Sequence, residues 1–112
     1  MMEVTFATAK LGKLCNSAKK LRGAYGPRMA LLIQQRLMEL GDAEVLEDMR
    51  HITGARCHEL SQNLRNLLAV DLVHPDRLVF RVSDSPVPRK KDGGLDWSQV
   101  RQVEVVGIGD YH

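Results

Sequence analysis

Val4 and Phe6 alternate with Glu3 and Thr5, which predicts a short strand at the start of the chain. From Ala7 to about Arg22 the pattern changes period. Leu11, Leu14, Cys15, Ala18 and Leu21 fall on one stripe of a helix, and Lys10, Lys13, Lys19 and Lys20 lie largely outside it. Gly23 is expected to stop that helix. A second helix opens at Gly26-Pro27, where the proline's missing N–H costs nothing, and buries Met29, Leu32, Ile33, Leu37 and Leu40. Gly41 suits a left-handed C-terminal cap, after which Asp42 caps a short acidic turn through Glu44, Glu47 and Asp48.

Beyond Arg56 the period becomes two. Arg56–Leu60 alternates, and Leu67–Val73 is apolar enough for a strand covered on at least one face. Asp76–Val82 follows closely after His74-Pro75, so a tight antiparallel hairpin is the expected connection. Residues 83–98 carry Pro86, Pro88, Gly93 and Gly94 and read as an exposed loop that Trp97 anchors to the domain. Gln99–Val106 is a final alternating strand. Helices that come together, followed by strands that come together, predict an α+β fold: two N-terminal helices packed on a mainly antiparallel sheet. The other sheet face is left free, concave and polar. Residues 1–112 form a single domain.

Composition narrows the classes. A chain of 112 residues with 44% hydrophobic and 27% charged side chains holds one core and is neither disordered nor a coiled coil. No apolar run approaches the ~20 residues that span a bilayer, and the opening residues lack the pattern of a signal peptide. Cys15 and Cys57 then read as reduced thiols in a cytoplasmic protein without membrane contact. The net charge of +2 conceals an asymmetry: residues 1–36 carry +6 and residues 37–60 carry −4. A basic N-terminal third fits a polyanionic partner as well as an ordinary solvated helix face.

No cysteine or histidine pair has metal-ligand spacing, and no phosphate-binding glycine motif is present, so no metal or cofactor is expected. The chemistry-bearing residues sit on strands instead. His58 lies within an alternating run, Arg77 and Arg81 alternate with Leu78 and Phe80, and Asp110, Tyr111 and His112 follow the last strand. Imidazoles, a carboxylate, a phenol and guanidiniums are the parts that metal-free RNA cleavage requires. One group accepts the 2′-hydroxyl proton, another protonates the departing 5′ oxygen, and cations stabilise the phosphate in flight. Arg89, Lys90 and Lys91 form a basic stretch suited to phosphates of ribosomal RNA, or simply a solvated hairpin tip.

The run Gly54-Ala-Arg-Cys-His-Glu-Leu60, the hairpin around His74-Pro75, the stretch Pro88-Arg-Lys-Lys-Asp-Gly-Gly-Leu-Asp-Trp97 and the closing Gly109-Asp-Tyr-His112 resemble the HigB-like toxins, or plasmid-maintenance killer proteins, of the RelE/ParE superfamily. The resemblance covers most of the chain. It implies a RelE/ParE-like β-α-α-β-β-β unit, ribosome-dependent mRNA cleavage and a HigA-like helix-turn-helix antitoxin. Carried over residue by residue, it gives His58 a proton-transfer or phosphate-contacting role. Arg77 would stabilise the transition state, Asp110 would orient or charge a histidine, Tyr111 would stack on a base and His112 would act as acid or base. The segment Ser61–Leu68 departs from the family pattern: Leu64 stands where an arginine is expected, and Arg65, one step on, is the nearest phosphate-binding candidate. Two further readings remain open, a ParE-like gyrase poison that needs no proton-transfer set, and a degenerate toxin that only binds its antitoxin.

Overall fold

A computed structural model describes residues 1–60 and 66–110. Its elements run β1 (Glu3–Phe6), α1 (Ala9–Cys15), α2 (Ala18–Tyr25), α3 (Pro27–Asp42), β2 (His58–Glu59), β3 (Leu67–Asp71), β4 (Arg77–Val82) and β5 (Gln102–Gly109), with short 3-10 turns at Leu46–His51, Thr53–Ala55 and Trp97–Gln99. The fold is α+β with an open five-stranded mixed sheet in the order β1-β5-β4-β3-β2. β1 runs parallel to β5, and every other pairing is antiparallel. No helix among the described residues is long and apolar enough to cross a membrane.

The expected single helix over Ala7–Arg22 is two. Asn16 ends the first, its side-chain amide donating to the Gly12 carbonyl at 2.8 Å. Ser17 starts the second, its hydroxyl accepting from the Lys20 N–H at 3.1 Å. Small polar side chains that bond their own backbone win over a continuous apolar stripe. α2 passes through Gly23 and stops at Gly26, whose φ of 83° and ψ of 164° suit a residue without a side chain. Three helices therefore precede the main strands rather than two. Gly41 is not the left-handed cap; it lies inside α3, which runs to Asp42. The acidic turn is held by Asp48, whose carboxylate accepts from the Glu44 and Val45 N–H groups, and not by Asp42.

One sheet face packs against the helices. Leu68 and Val70 of β3, Leu78, Phe80 and Val82 of β4, and Val103 and Val105 of β5 join Leu21, Met29, Ile33 and Leu40 in one core. A bulge makes this possible. Val79 pairs with Gly107 but Phe80 pairs with Val105, so Val106 is the extra residue. Without it Val105 would face Arg81 on the open side; with it Val105 turns to the core and Glu104 meets Arg81. The expected hairpin forms between β3 and β4, closed by the Leu72 N–H on the Asp76 carbonyl at 3.1 Å. The segment 83–98 is not wholly exposed: Leu95 and Trp97 are buried, and Arg89 bridges Leu95.

Candidate functional site

The sheet face turned away from the helices carries rows of cross-strand partners, and it is not free and polar throughout, because Ala69 and Val79 in its middle row are buried. His58 pairs with Ala69, Ala69 with Val79, and Val79 with Gly107. One row to one side stand Asp71, Arg77 and Gly109; to the other stand Leu67, Arg81 and Glu104. His58 and Arg77 thus share a face on neighbouring rows.

A network of hydrogen bonds fixes their surroundings. Arg36, in the apolar stripe of α3, is buried. Its guanidinium donates to the Asp71 carbonyl at 2.8 Å, the Gly54 carbonyl at 2.9 Å and the Glu39 carboxylate at 2.9 Å. This clamps the turn Thr53–Ala55 to the end of β3. Arg56 follows that turn in a left-handed conformation, φ 45° and ψ 52°. Its Nε donates to an Asp71 oxygen at 2.7 Å, and Nη2 reaches the other at 3.4 Å. Arg77 Nε lies 3.8 Å from the same carboxylate. One carboxylate therefore holds two guanidiniums, and it pushes that of Arg56 still higher in pKa through the hydrogen bond and its charge.

His58 is half-buried, and its Nδ1 lies 2.7 Å from the Arg56 carbonyl oxygen. A carbonyl can only accept, so Nδ1 carries a hydrogen, and in the neutral ring Nε2 is then the acceptor. Burial pushes the neighbouring Cys57 thiol up to about 12, so little of it is thiolate near neutral pH.

The other expected site residues separate. Arg81 lies on the same face, about 13 Å along β4 from Arg77 at the usual rise per residue. Its Nε donates to Glu104 at 2.7 Å, so its charge is already matched. Arg89 donates to the Asn66 side chain at 2.7 Å, near the Arg81 end of the sheet. Lys90 and Lys91 are exposed beside a tight turn closed by the Lys90 N–H on the Gly94 carbonyl at 2.8 Å. Asp110 is exposed just beyond Gly109, the partner of Arg77. Arg65, Tyr111 and His112 lie outside the described residues. No protein-family model, no curated protein and no solved structure matches the chain.

Three residues of this network escaped the sequence reading. Asp71 and Arg77 are symmetric about His74, so a tight hairpin centred there pairs them. Arg36 interrupts the stripe formed by Ile33 and Leu40 at helical spacing, the mark of a buried charge with work to do. Arg56 stands two positions before His58 in the alternating run, and that was its only signal. Among the described residues, no group of three or more His, Cys, Asp or Glu side chains is arranged to hold a metal ion.

On the opposite layer α1, α2 and β5 form a separate groove of about 770 Å³. Leu11, Leu14 and Val106 line it together with Lys10, Lys13 and Lys20.

Proposed function

We propose that the chain is the toxin of a type II toxin–antitoxin pair, a HigB-like member of the RelE/ParE superfamily, and that it cleaves ribosome-bound mRNA without a metal. The observation that carries this reading is one sheet face on which His58 of β2 and Arg77 of β4 stand on neighbouring rows, with the Asp71 carboxylate of β3 pairing both Arg77 and Arg56. The α+β class, with the helices packed on one face of the sheet, is compatible with it.

In the proposed reaction Nε2 of His58 takes the 2′-hydroxyl proton. The 2′ oxygen attacks the adjacent phosphorus, and the bond to the 5′ oxygen breaks. One fragment ends in a cyclic phosphate and the other begins with a hydroxyl. Arg77 stabilises the extra negative charge on the phosphorane. With His58 as the base, the proton for the 5′ oxygen falls to the Asp110-Tyr111-His112 ending, where the resemblance gives His112 a role as acid or base. Arg65, Arg81, Arg89, Lys90 and Lys91 contact mRNA or ribosomal RNA phosphates further out.

The partner is a HigA-like antitoxin. A groove lined by apolar side chains and lysines fits an amphipathic helix that carries acidic residues along its edges. The cation pairing of Arg81 with Glu104 favours a second reading, in which the chain binds the antitoxin but cleaves poorly.

Induced expression followed by mapping of mRNA 5′ ends tests the proposal. Cuts within translated frames are expected, and they should vanish in His58→Gln. Arg77→Met, which keeps the stem of a side chain only 14% exposed, should slow cleavage about a hundredfold. Intact mRNA with broken chromosomal DNA would establish the gyrase reading instead. Intact mRNA and DNA, with an adjacent small protein that co-purifies, would leave the antitoxin-binding reading.

A further inference from the structure

We infer that Arg56 is a second phosphate-binding guanidinium of the open face, and that Asp71 holds it beside Arg77 in readiness for an RNA phosphodiester. The inference rests on the proposed ribonuclease reading and extends it to a residue outside the carried-over site.

Its backbone conformation and its two polar ends single out Arg56. Its backbone is left-handed, a conformation that side chains with a β-carbon seldom adopt outside constrained or functional positions. The constraint is visible: the buried Arg36 guanidinium donates to Gly54 on one side and to Asp71 on the other, fixing the turn against β3. Finally, the two ends of Arg56 serve two partners at once. Its carbonyl oxygen sets the His58 ring at 2.7 Å, and its guanidinium meets Asp71 at 2.7 Å. A single backbone turn therefore aims both the proposed base and a cation.

Exposure separates the two guanidiniums. The Arg77 side chain is 14% exposed and that of Arg56 is 64% exposed. Arg77 lies within the face, and Arg56 stands over it within reach of solvent. An ion pair as exposed as Arg56–Asp71 adds little to stability, so its use for holding the fold is small. Asp71 offers one carboxylate to two guanidiniums, Arg56 at 2.7 Å and Arg77 at 3.8 Å. Planar guanidiniums bind phosphate oxygens in pairs, which a lysine cannot reproduce. Arg56 Nη2 is 3.4 Å from its Asp71 oxygen, the longer of the two contacts. That edge is the one a phosphate oxygen would take.

The test removes the guanidinium and keeps the turn. Arg56→Gly accepts the left-handed backbone without cost and preserves the carbonyl that holds His58. The probe is a short fluorescent single-stranded RNA with every 2′-hydroxyl methylated, which binds without being cut. Wild type, Arg56→Gly and Arg56→Lys are compared by anisotropy across a salt series, and their in-cell mRNA 5′ ends are mapped. Arg56→Gly should bind about tenfold more weakly and lose about 0.7 from the slope of log affinity against log salt. Its thermal midpoint should not fall. Arg56→Lys should recover the slope and only part of the affinity. If wild type binds and Arg56→Gly binds equally well with the same slope, the inference is overturned and the ribonuclease reading stands. If wild type binds no free RNA but cuts mRNA in cells, the cutting rates decide: slower cutting by Arg56→Gly supports the inference, and equal cutting overturns it. A wild type that neither binds nor cuts RNA overturns both.

Discussion

Replacing Arg36 by methionine should be among the most damaging single changes available to this fold. The substitution keeps most of the stem volume and deletes the guanidinium. Three acceptors then lose a charged donor: the Asp71 carbonyl at 2.8 Å, the Gly54 carbonyl at 2.9 Å and the Glu39 carboxylate at 2.9 Å. The Glu39 side chain is only 16% exposed, so its charge is left poorly solvated beside a void. Breaking one side of a buried pair costs about 3–5 kcal/mol. Against a total of about 5–15 kcal/mol for a small domain this is a large share. With a urea slope of about 2 kcal/mol per molar, the unfolding midpoint should fall by about 2 M. Arg36→Met combined with Glu39→Gln should recover part of the loss, because the stranded charge is gone. Urea unfolding followed by Trp97 fluorescence measures all of this. A midpoint within about 0.5 M of wild type would refute the clamp as a structural tie, and a double variant no better than the single one would refute the role given to Glu39.

Gly26→Ala should cost about 1–3 kcal/mol in the same assay, since its φ of 83° and ψ of 164° fall where a β-carbon is strongly disfavoured. An unchanged midpoint would contradict that backbone. Burial raises the Cys15 thiol to about 11 and the Cys57 thiol to about 12, from 9.0. Native Cys57 should therefore alkylate about a thousandfold more slowly than in urea at pH 8.5, and equal rates would be inconsistent with it. The linked stability is intact below pH 9; between 9 and 12 the unfolded chain gives up these protons first, so stability should fall as pH rises. Glu104→Gln frees the Arg81 guanidinium and should strengthen RNA binding in a salt-sensitive way, and unchanged affinity would show that Arg81 does not meet the RNA.

The hydrophobic periods were enough to find the sheet and its face. Leu78, Phe80 and Val82 against Arg77 and Arg81 read as a two-sided strand, and those residues take the sides that the alternation implies, although Val79 on the arginine side is buried as well. The break between α1 and α2 was also present, as Asn16-Ser17 within an otherwise helical stripe. It was hidden because periodicity averages over single capping residues. The fate of Arg81 was not legible locally: it depends on a bulge in a strand some twenty residues away that selects Glu104 over Val105. Arg56 was hidden for a similar reason. Its left-handed turn is imposed by a guanidinium on a helix twenty positions earlier, and no local pattern records that tie.

The parallel pairing of β1 with β5 has a consequence for how the molecule comes into being. Glu3 meets Gln102 and Phe6 meets Val105, among the most distant contacts the chain makes. Closing so long a loop is slow relative to forming a helix or a local hairpin. During synthesis α1, α2 and α3 emerge first with their apolar stripes uncovered, because the strands that form their floor lie between residues 67 and 109. β5 sits between β1 and β4, so β1 has no neighbour until β5 arrives. The cation-bearing face, built on β2, β3 and β4, lacks its flank for the same interval. A nascent chain is thus an unfinished sheet until nearly all of the residues described here have left the ribosome.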